Sequence, residues 1–209
     1  MTKKMPLILF ALGLSTALPA FASTPHDAWA IDLSHGNGAV EFDATGHPSA
    51  LKIVGKGAAP SGALQIKNGR ASGIVSFDLT TLDTGISMRT RHMKEKYLET
   101  GKYPQAKLSI ARIDLPKGTP VDHLHADALP FNGTLSLHGI EKPVAGTAQI
   151  QADGSKVSIA AHFSLKVSDY GIKIPSFAGI TMTDEVAVSV TDSAPIEKGS
   201  TRATTRTRP

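Results

Sequence analysis

The chain has 209 residues, of which 41% are hydrophobic and 19% are charged, as is typical of a folded globular protein. It contains no cysteine, so no disulfide can support the fold, and aromatic residues make up only 5%. The formal charge of +4 resides at the two ends of the chain, because residues 23–192 alone carry a net charge of −1. This distribution argues against a broadly basic face, and no nucleic-acid partner is predicted.

The first residues have the organisation of a secretory signal peptide. A short basic start is followed by an apolar run over residues 5–20, and Ala20-Phe21-Ala22 forms an A-x-A cleavage signal. Cleavage after Ala22 predicts a periplasmic protein. No second long apolar run follows, so no transmembrane segment is expected in the mature chain.

Between about residue 29 and residue 191, short runs alternate apolar with small or polar residues, as half-buried strands do. The predicted strands are 40–42, 51–53, 64–66, 75–79, 108–110, 129–137, 144–150, 157–167 and 186–190. The connections are short and only one face of each strand is apolar, which favours antiparallel pairing. Such an all-β chain forms either a sandwich or a closed barrel, and the pattern alone does not choose between them.

The alternation stops in residues 87–106, SMRTRHMKEKYLETGKYPQA, which are rich in cations. A helix is predicted over residues 89–99, with Met93 and Tyr97 on one face and the neighbouring lysines pointing outward. This segment could be a lid, a ligand clamp or simple packing.

Arg89 and His92 project together at the amino-terminal end of this predicted helix. Backbone N–H groups are free there, so the position favours an anionic head group. In the packing alternative, the helix only closes one end of the fold, and Arg89 pairs with Asp83 or Asp78.

No catalytic motif is present: there is no cysteine nucleophile, G-x-S-x-G elbow, H-E-x-x-H sequence or glycine-rich phosphate loop. The sequence therefore predicts a protein that is not an enzyme and needs no cofactor. His123 and His125 are the candidate zinc ligands, with His138 or His162 as a third. Their position between two prolines favours an ordinary polar loop, so no metal site is predicted.

Residues 193–209, SAPIEKGSTRATTRTRP, contain little that could be buried and are predicted to form a disordered basic tail. The predicted organisation is therefore a signal peptide over residues 1–22, one β-domain over residues 23–192, and this tail.

Three stretches in this order resemble the YceI family of exported proteins. They are GIVSFDLTTLDTGISMRTRHMKEKYLETGKYPQAKLSI, FNGTLSLHGIEKPV and YGIKIPSFAGITMTDEVAVSV. They contain a Leu-Asp-Thr turn, an Arg-x-x-His segment, a Lys-Tyr-Pro run, a Leu-His-Gly hairpin turn and a closing Asp-Glu-Val strand. The resemblance covers most of residues 38–191.

The resemblance implies an antiparallel, eight-stranded, lipocalin-like barrel with a short helical insert near residues 89–99. It further implies a periplasmic or extracellular carrier without catalysis, which holds a long polyisoprenoid, such as an isoprenoid quinone or a polyprenyl phosphate, in the barrel lumen. His138 and Gly139 fall on the Leu-His-Gly turn of the family.

For this carrier function, Arg89 and His92 are the predicted contacts of the polar head, since they fall on the Arg-x-x-His positions. The predicted apolar lining is Val75, Phe77, Leu135, Phe163, Leu165 and Val188. The alternative function is a ligand-free β-domain that acts through protein contacts in the cell envelope. Interior volume separates the two functions, since a filled barrel leaves no room for a lipid chain. A dimer is left open.

Overall fold

The computed structural model describes residues 28–48, 51–177 and 179–199, and it is almost entirely β-structure. The strands are β1 (Ala28–Asp32), β2 (Ala39–His47), β3 (Lys52–Gly57), β4 (Ser61–Lys67), β5 (Arg70–Asp78), β6 (Gln105–Asp114), β7 (His125–Leu137), β8 (Ile140–Asp153), β9 (Lys156–Lys166), β10 (Ser176–Phe177), β11 (Ile180–Met182) and β12 (Glu185–Lys198). One α-helix, α1, spans Ser87–His92 and continues into a π-helical turn over Met93–Tyr97. The predicted signal peptide lies outside the described residues.

Eight of these strands close into an antiparallel barrel, which confirms the predicted fold. Its strand order is β1-β4-β5-β6-β7-β8-β9-β12, and β12 returns to pair with β1. Two-residue turns connect three of the neighbouring pairs, β4–β5, β7–β8 and β8–β9. His138 and Gly139 form the two-residue turn between β7 and β8, with positive φ angles of 53° and 77°, as this type of hairpin requires. Short connections of this kind permit only antiparallel neighbours.

The long strand β12 changes its partner halfway along its length. Over Ala187–Thr191 it pairs with β2, and near Ile196 it pairs with β1. The hairpin of β2 and β3 therefore extends the wall at one end of the barrel. At its free side, β3 is tied to the segment after β5 by two backbone hydrogen bonds between Lys56 and Asp83, of 2.8 and 2.7 Å.

The interior is lined by the apolar positions of the alternating strands, as their period of two requires. The most completely buried large side chains are Ile31, Ile66, Leu124, Phe131, Ile150, Val157 and Tyr170. Phe131 and Phe163 meet edge to face across the barrel, with their ring centroids 6.2 Å apart.

The predicted boundary between barrel and tail at residue 193 is wrong. Strand β12 runs to Lys198, and Ala194 and Ile196 are each only 3% exposed. The apolar alternation of this strand continues past a charged residue, Asp192, at a position that faces the interior. Residues 193–198 therefore belong to the barrel wall, while the rest of the predicted tail, beyond residue 199, lies outside the described residues.

Candidate functional site

A cavity of about 660 Å³ occupies the end of the barrel that carries the β2–β3 hairpin. Apolar side chains from β2, β3, β5, β7, β9 and β12, and from the segments just after β5 and β9, form its walls. They include Val40, Phe42, Ala44, Ile53, Phe77, Leu79, Leu82, Leu135, Leu137, Phe163, Leu165, Val167, Val186 and Val188. From Val167, the residue after β9, down to Phe163, this wall runs for about 13 Å at the usual rise of a strand. The cavity has the size of a small-molecule binding site.

Three segments surround the mouth of this cavity. The β2–β3 hairpin contributes Leu51, and the helical segment contributes Ile86, Met88 and the residues that follow. The third segment is the loop before β10 together with the β10–β11 hairpin, which contributes Ile172, Pro175, Ile180 and Met182 to the lining. Each segment is a connection between barrel strands, so the barrel supplies the rigid wall and the connections shape the entrance.

A small hydrogen-bonded network fixes the start of the helical segment. The hydroxyl of Thr90 donates to Asp83 Oδ1 over 2.8 Å, and the backbone N–H of the buried Thr84 donates to Thr90 Oγ1 over 3.0 Å. The Gly85 N–H also donates to Asp83 Oδ1. These two donors, the Gly85 amide first and then the Thr90 hydroxyl, hold the pKa of Asp83 below its usual value.

The predicted helix over residues 89–99 is present but displaced and irregular. It begins at Ser87, and its second half is the π-helical turn, in which the Leu98 N–H donates to the Met93 carbonyl over 2.9 Å. Glu99, at φ 46°, ends the segment. Lys96 borders the cavity mouth beside Tyr97 and is exposed to solvent.

Arg89 lies at the mouth, where the family resemblance predicts the head group. One of its terminal nitrogens donates to the Thr84 carbonyl, and its buried Nε has no partner among the described residues. The predicted alternative pairing with Asp83 or Asp78 does not occur, because Asp83 binds the helix start and Asp78 binds Thr80. The guanidinium charge therefore borders an apolar cavity without a carboxylate beside it.

His92 lines the same mouth and is exposed to solvent. His138 has a different role: its Nδ1 bonds to the Tyr170 carbonyl over 3.0 Å and its Nε2 to the Glu99 carboxylate over 2.7 Å. The ring of Tyr103 packs against it with centroids 4.4 Å apart. His138 thus ties the end of the helical segment to the barrel.

The structure brings together seven of the eight residues that the sequence predicted for the site. Arg89 and His92 lie at the mouth, and the lining contains Phe77, Leu135, Phe163, Leu165 and Val188.

Val75 is the exception among the predicted lining residues. It lies two residues before Phe77 on β5 and therefore on the same face of the strand. Its side chain is 6% exposed and borders a separate cavity of about 50 Å³. Phe77 and Phe163 border both cavities and so form the partition between them.

The sequence prediction missed the contribution of the third mouth segment. The loop from Ile172 to Pro175 and the β10–β11 hairpin lie in a stretch with no predicted strand or helix, so periodicity gives no indication that they face a cavity. The indication available in the sequence was that Ile180 and Met182 are apolar although they lie in a segment of turns.

The smaller cavity contains one charged group, Asp192, which is 6% exposed. Neither of its carboxylate oxygens has a hydrogen-bond partner among the described residues. Burial raises the pKa of this carboxyl above its usual value. Gly36 lies directly against the carboxylate, so any side chain at that position would collide with it.

The candidate zinc ligands His123 and His125 are both exposed, at the start of β7. Within residues 28–48, 51–177 and 179–199, no group of three or more His, Cys, Asp or Glu side chains is placed to hold a metal ion. In the same part of the chain, no helix is long and apolar enough to cross a membrane.

Together, the fold and the site define a small antiparallel β-barrel with an internal apolar cavity that opens at one end. Comparison with known proteins places this barrel in a family. The YceI-like domain family matches residues 29–194, and the chain belongs to it.

Among curated relatives, Protein YceI of Escherichia coli O157:H7 is 30% identical over 106 residues, which are 47% of this chain and 51% of that protein. The chain thus spans about half the length of the first curated relatives it matches. A UPF0312 protein of Shewanella sp. (strain W3-18-1) is 24% identical over 181 residues, which cover 82% of this chain and 89% of the relative.

Solved structures share the fold at low sequence identity. BcnA of Burkholderia cenocepacia superposes with a TM-score of 0.60 at 16% identity and covers 78% of this chain and 99% of its own. A domain of Saccharophagus degradans, described as polyisoprenoid-binding and implicated in plant cell wall breakdown, gives a TM-score of 0.57, also at 16% identity. That likeness covers 82% of this chain and 100% of the domain.

Proposed function

We propose that this protein binds and carries a long-chain polyisoprenoid lipid, such as an isoprenoid quinone or a polyprenyl phosphate, in the large cavity. The observation that carries the proposal is a cavity of about 660 Å³ whose walls are apolar and whose mouth holds Arg89 and His92. The polyisoprenoid-binding description of a structural neighbour supports the same ligand class. Carriage, not catalysis, is the proposed activity, and export to the periplasm is its proposed setting.

The apolar tail and the polar head of the proposed ligand contribute differently to its affinity. Burial of an isoprenoid tail gains roughly 25 cal/mol per Å² of apolar surface that leaves water. A single charge-assisted contact from Arg89 to the head adds about 1.5–3 kcal/mol. The tail therefore provides most of the affinity, and the head fixes which end of the ligand enters first.

The alternative function, a ligand-free domain that acts only through protein contacts, is disfavoured by interior volume. A filled barrel of eight strands leaves no room for a chain, whereas here the space beneath the mouth remains open. Protein contacts on the outer wall would be compatible with either function.

The decisive experiment is organic extraction of the protein, purified from its native host, followed by mass spectrometry. We expect a prenyl-lipid ion in stoichiometric amount. A lipid-free extract from folded protein would contradict the carrier function and favour the ligand-free domain that acts through protein contacts.

A pair of substitutions on β9 makes this test specific to the cavity. Leu165→Trp fills the lumen from its wall and should leave the extract almost free of lipid. Ser164→Trp places the same ring on the outer face of the same strand, because neighbouring strand residues point to opposite faces. Equal lipid content in the two variants would place the ligand outside the cavity.

A further inference from the structure

The mouth of the cavity has exposed apolar and cationic side chains that binding inside the lumen does not explain. We define the mouth face as Leu51, Ile86, Met88, Arg91, Lys94, Lys96, Lys173 and Ile174. We propose that this face docks onto the surface of an anionic lipid bilayer.

The apolar part of the mouth face is exposed to water. Met88 is 61% exposed, Ile86 55%, Ile174 39% and Leu51 38%. These four are the majority of the seven large apolar side chains that are exposed in the described part of the chain. Exposed apolar side chains gathered at one end of a molecule indicate an interaction site.

The exposed side chains are continuous with the cavity lining. Leu51, Ile86 and Met88 each border the cavity as well as the solvent. They come from two separate connections on the rim, and Ile174 comes from a third. Separate apolar tips around an opening suit insertion between lipid head groups better than they suit a flat protein interface.

The cationic part of the mouth face lies on the same helical segment. From Ser87 to Leu98 the chain carries four cations and one carboxylate, Glu95. Within α1, Met88 and Arg91 are three residues apart and are therefore neighbours on the helix surface. Apolar and cationic side chains thus meet on one exposed face, as in surfaces that bind anionic lipid.

The charge of this face is not neutralised by ion pairs. In the described residues, no carboxylate lies within salt-bridge distance of Arg91, Lys94, Lys96 or Lys173.

Three carboxylates at the same end have structural partners of their own. Asp83 accepts from Thr90, Glu99 binds His138, and Asp184 accepts from the amide and hydroxyl of Ser168. The cations are therefore available to lipid phosphates.

The docking surface does not depend on which ligand fills the cavity. If the proposed function also holds, docking would bring the mouth against the bilayer, and an apolar chain could pass between them without crossing water. The docking test therefore uses vesicles that contain no prenyl lipid, so its outcome is independent of the extraction experiment.

The test is flotation of the full chain with vesicles of phosphatidylglycerol and phosphatidylethanolamine, compared with vesicles of phosphatidylcholine alone. We expect binding to the anionic vesicles only, with an affinity that falls as salt is added. Absence of binding to the anionic vesicles would overturn the proposal and leave the mouth face to a protein partner.

Two pairs of variants locate the contact on the mouth face. Ile86→Ser with Met88→Ser should weaken vesicle binding by at least about tenfold, whereas Ile74→Ser, which removes an equally exposed isoleucine from the wall of β5, should not. The double variant Arg91→Gln/Lys94→Gln should weaken vesicle binding by roughly fivefold for each charge removed. The control variant Lys107→Gln/Lys156→Gln, on the barrel wall, should bind vesicles as the native protein does.

The arginines of the carboxyl-terminal tail are a second source of positive charge and need their own variant. Replacement of Arg202, Arg206 and Arg208 by Gln measures their share. If this variant alone loses vesicle binding while the Ile86/Met88 variant retains it, the tail and not the mouth binds lipid, and the proposal is wrong.

Discussion

Arg89 places a positive charge at the mouth of the apolar cavity. Its substitution by alanine should weaken ligand binding by a factor of roughly ten to a hundred, the value of one charge-assisted contact, without abolishing it. Titration of purified protein with a soluble polyprenyl phosphate would measure this, with Lys107→Ala on the outer wall as the control. Complete loss of binding by folded Arg89→Ala protein would show that the head, and not the tail, dominates affinity.

Asp192 makes the barrel sensitive to pH. Burial favours its protonated form, so the stability it contributes is complete below its ordinary pKa of 3.8 and is lost as the pH rises through the raised pKa. Asp192→Asn should therefore melt a few degrees higher than the native protein near neutral pH, and this gain should vanish in acid. Thermal melts from about pH 4 to about pH 8 check this.

The control for Asp192 is Asp153→Asn at the exposed end of β8. Its melting temperature should follow that of the native protein at every pH. If the difference between Asp192→Asn and the native protein were constant across the range, it would reflect amide packing rather than the buried charge.

Cavity residues on regular strands could mostly be predicted from alternation, whereas those of the loop before β10 and of the β10–β11 hairpin could not. Arg89 and His92, on the helical segment, were predicted from helical spacing and from the family resemblance. Alternation places Phe163 and Leu165 on one face of β9, and both line the cavity. The same alternation, continued along β12, places Asp192 inward, but a charged residue at an apolar position looks like the end of a strand. The boundary was predicted at residue 193 because residues 193–209 contain little that could be buried, although Ala194 and Ile196 continue the alternation.

At the scale of elements, the start of the helical segment is held by the hydroxyl of Thr90. Thr90→Val keeps the shape but removes the bond to Asp83 and leaves the buried N–H of Thr84 unpaired. We expect a loss of about 1–3 kcal/mol in the free energy of unfolding. Thr147→Val on the exposed face of β8 is the matched control.

Hydrogen exchange distinguishes a local effect of Thr90→Val from a global one. The amides of Thr84, Gly85 and the α1 turn should exchange faster, while those of β7 and β8 should keep their protection. Unchanged exchange at Thr84 would mean that the network does not hold the segment. The π-turn that follows could not have been predicted, because a helical period near 3.6 does not reveal a single wider turn.

At the scale of the whole molecule, the sequence left open a sandwich or a barrel, and long-range pairing decides between them. Strand β12 pairs with β2 near the mouth and with β1 at the opposite end, where it closes the barrel. Such pairings join residues far apart in the chain and leave no local pattern. The family resemblance, rather than periodicity, predicted the barrel correctly.

Closure through the end of β12 gives the last prediction. Ile196 pairs with Ile31 of β1 and is 3% exposed, so Ile196→Ala should lose about 2–5 kcal/mol of unfolding free energy. Glu197→Ala, one position along and exposed, should stay within about 0.5 kcal/mol of the native protein. Urea unfolding can be followed through Trp29, the chain's single tryptophan, which lies opposite Lys198 across this closure. Equal midpoints for the two variants would mean that the barrel closes without residues 193–198. A selective loss in Ile196→Ala would mean that the closed barrel depends on residues 193–198, which the sequence assigned to a tail.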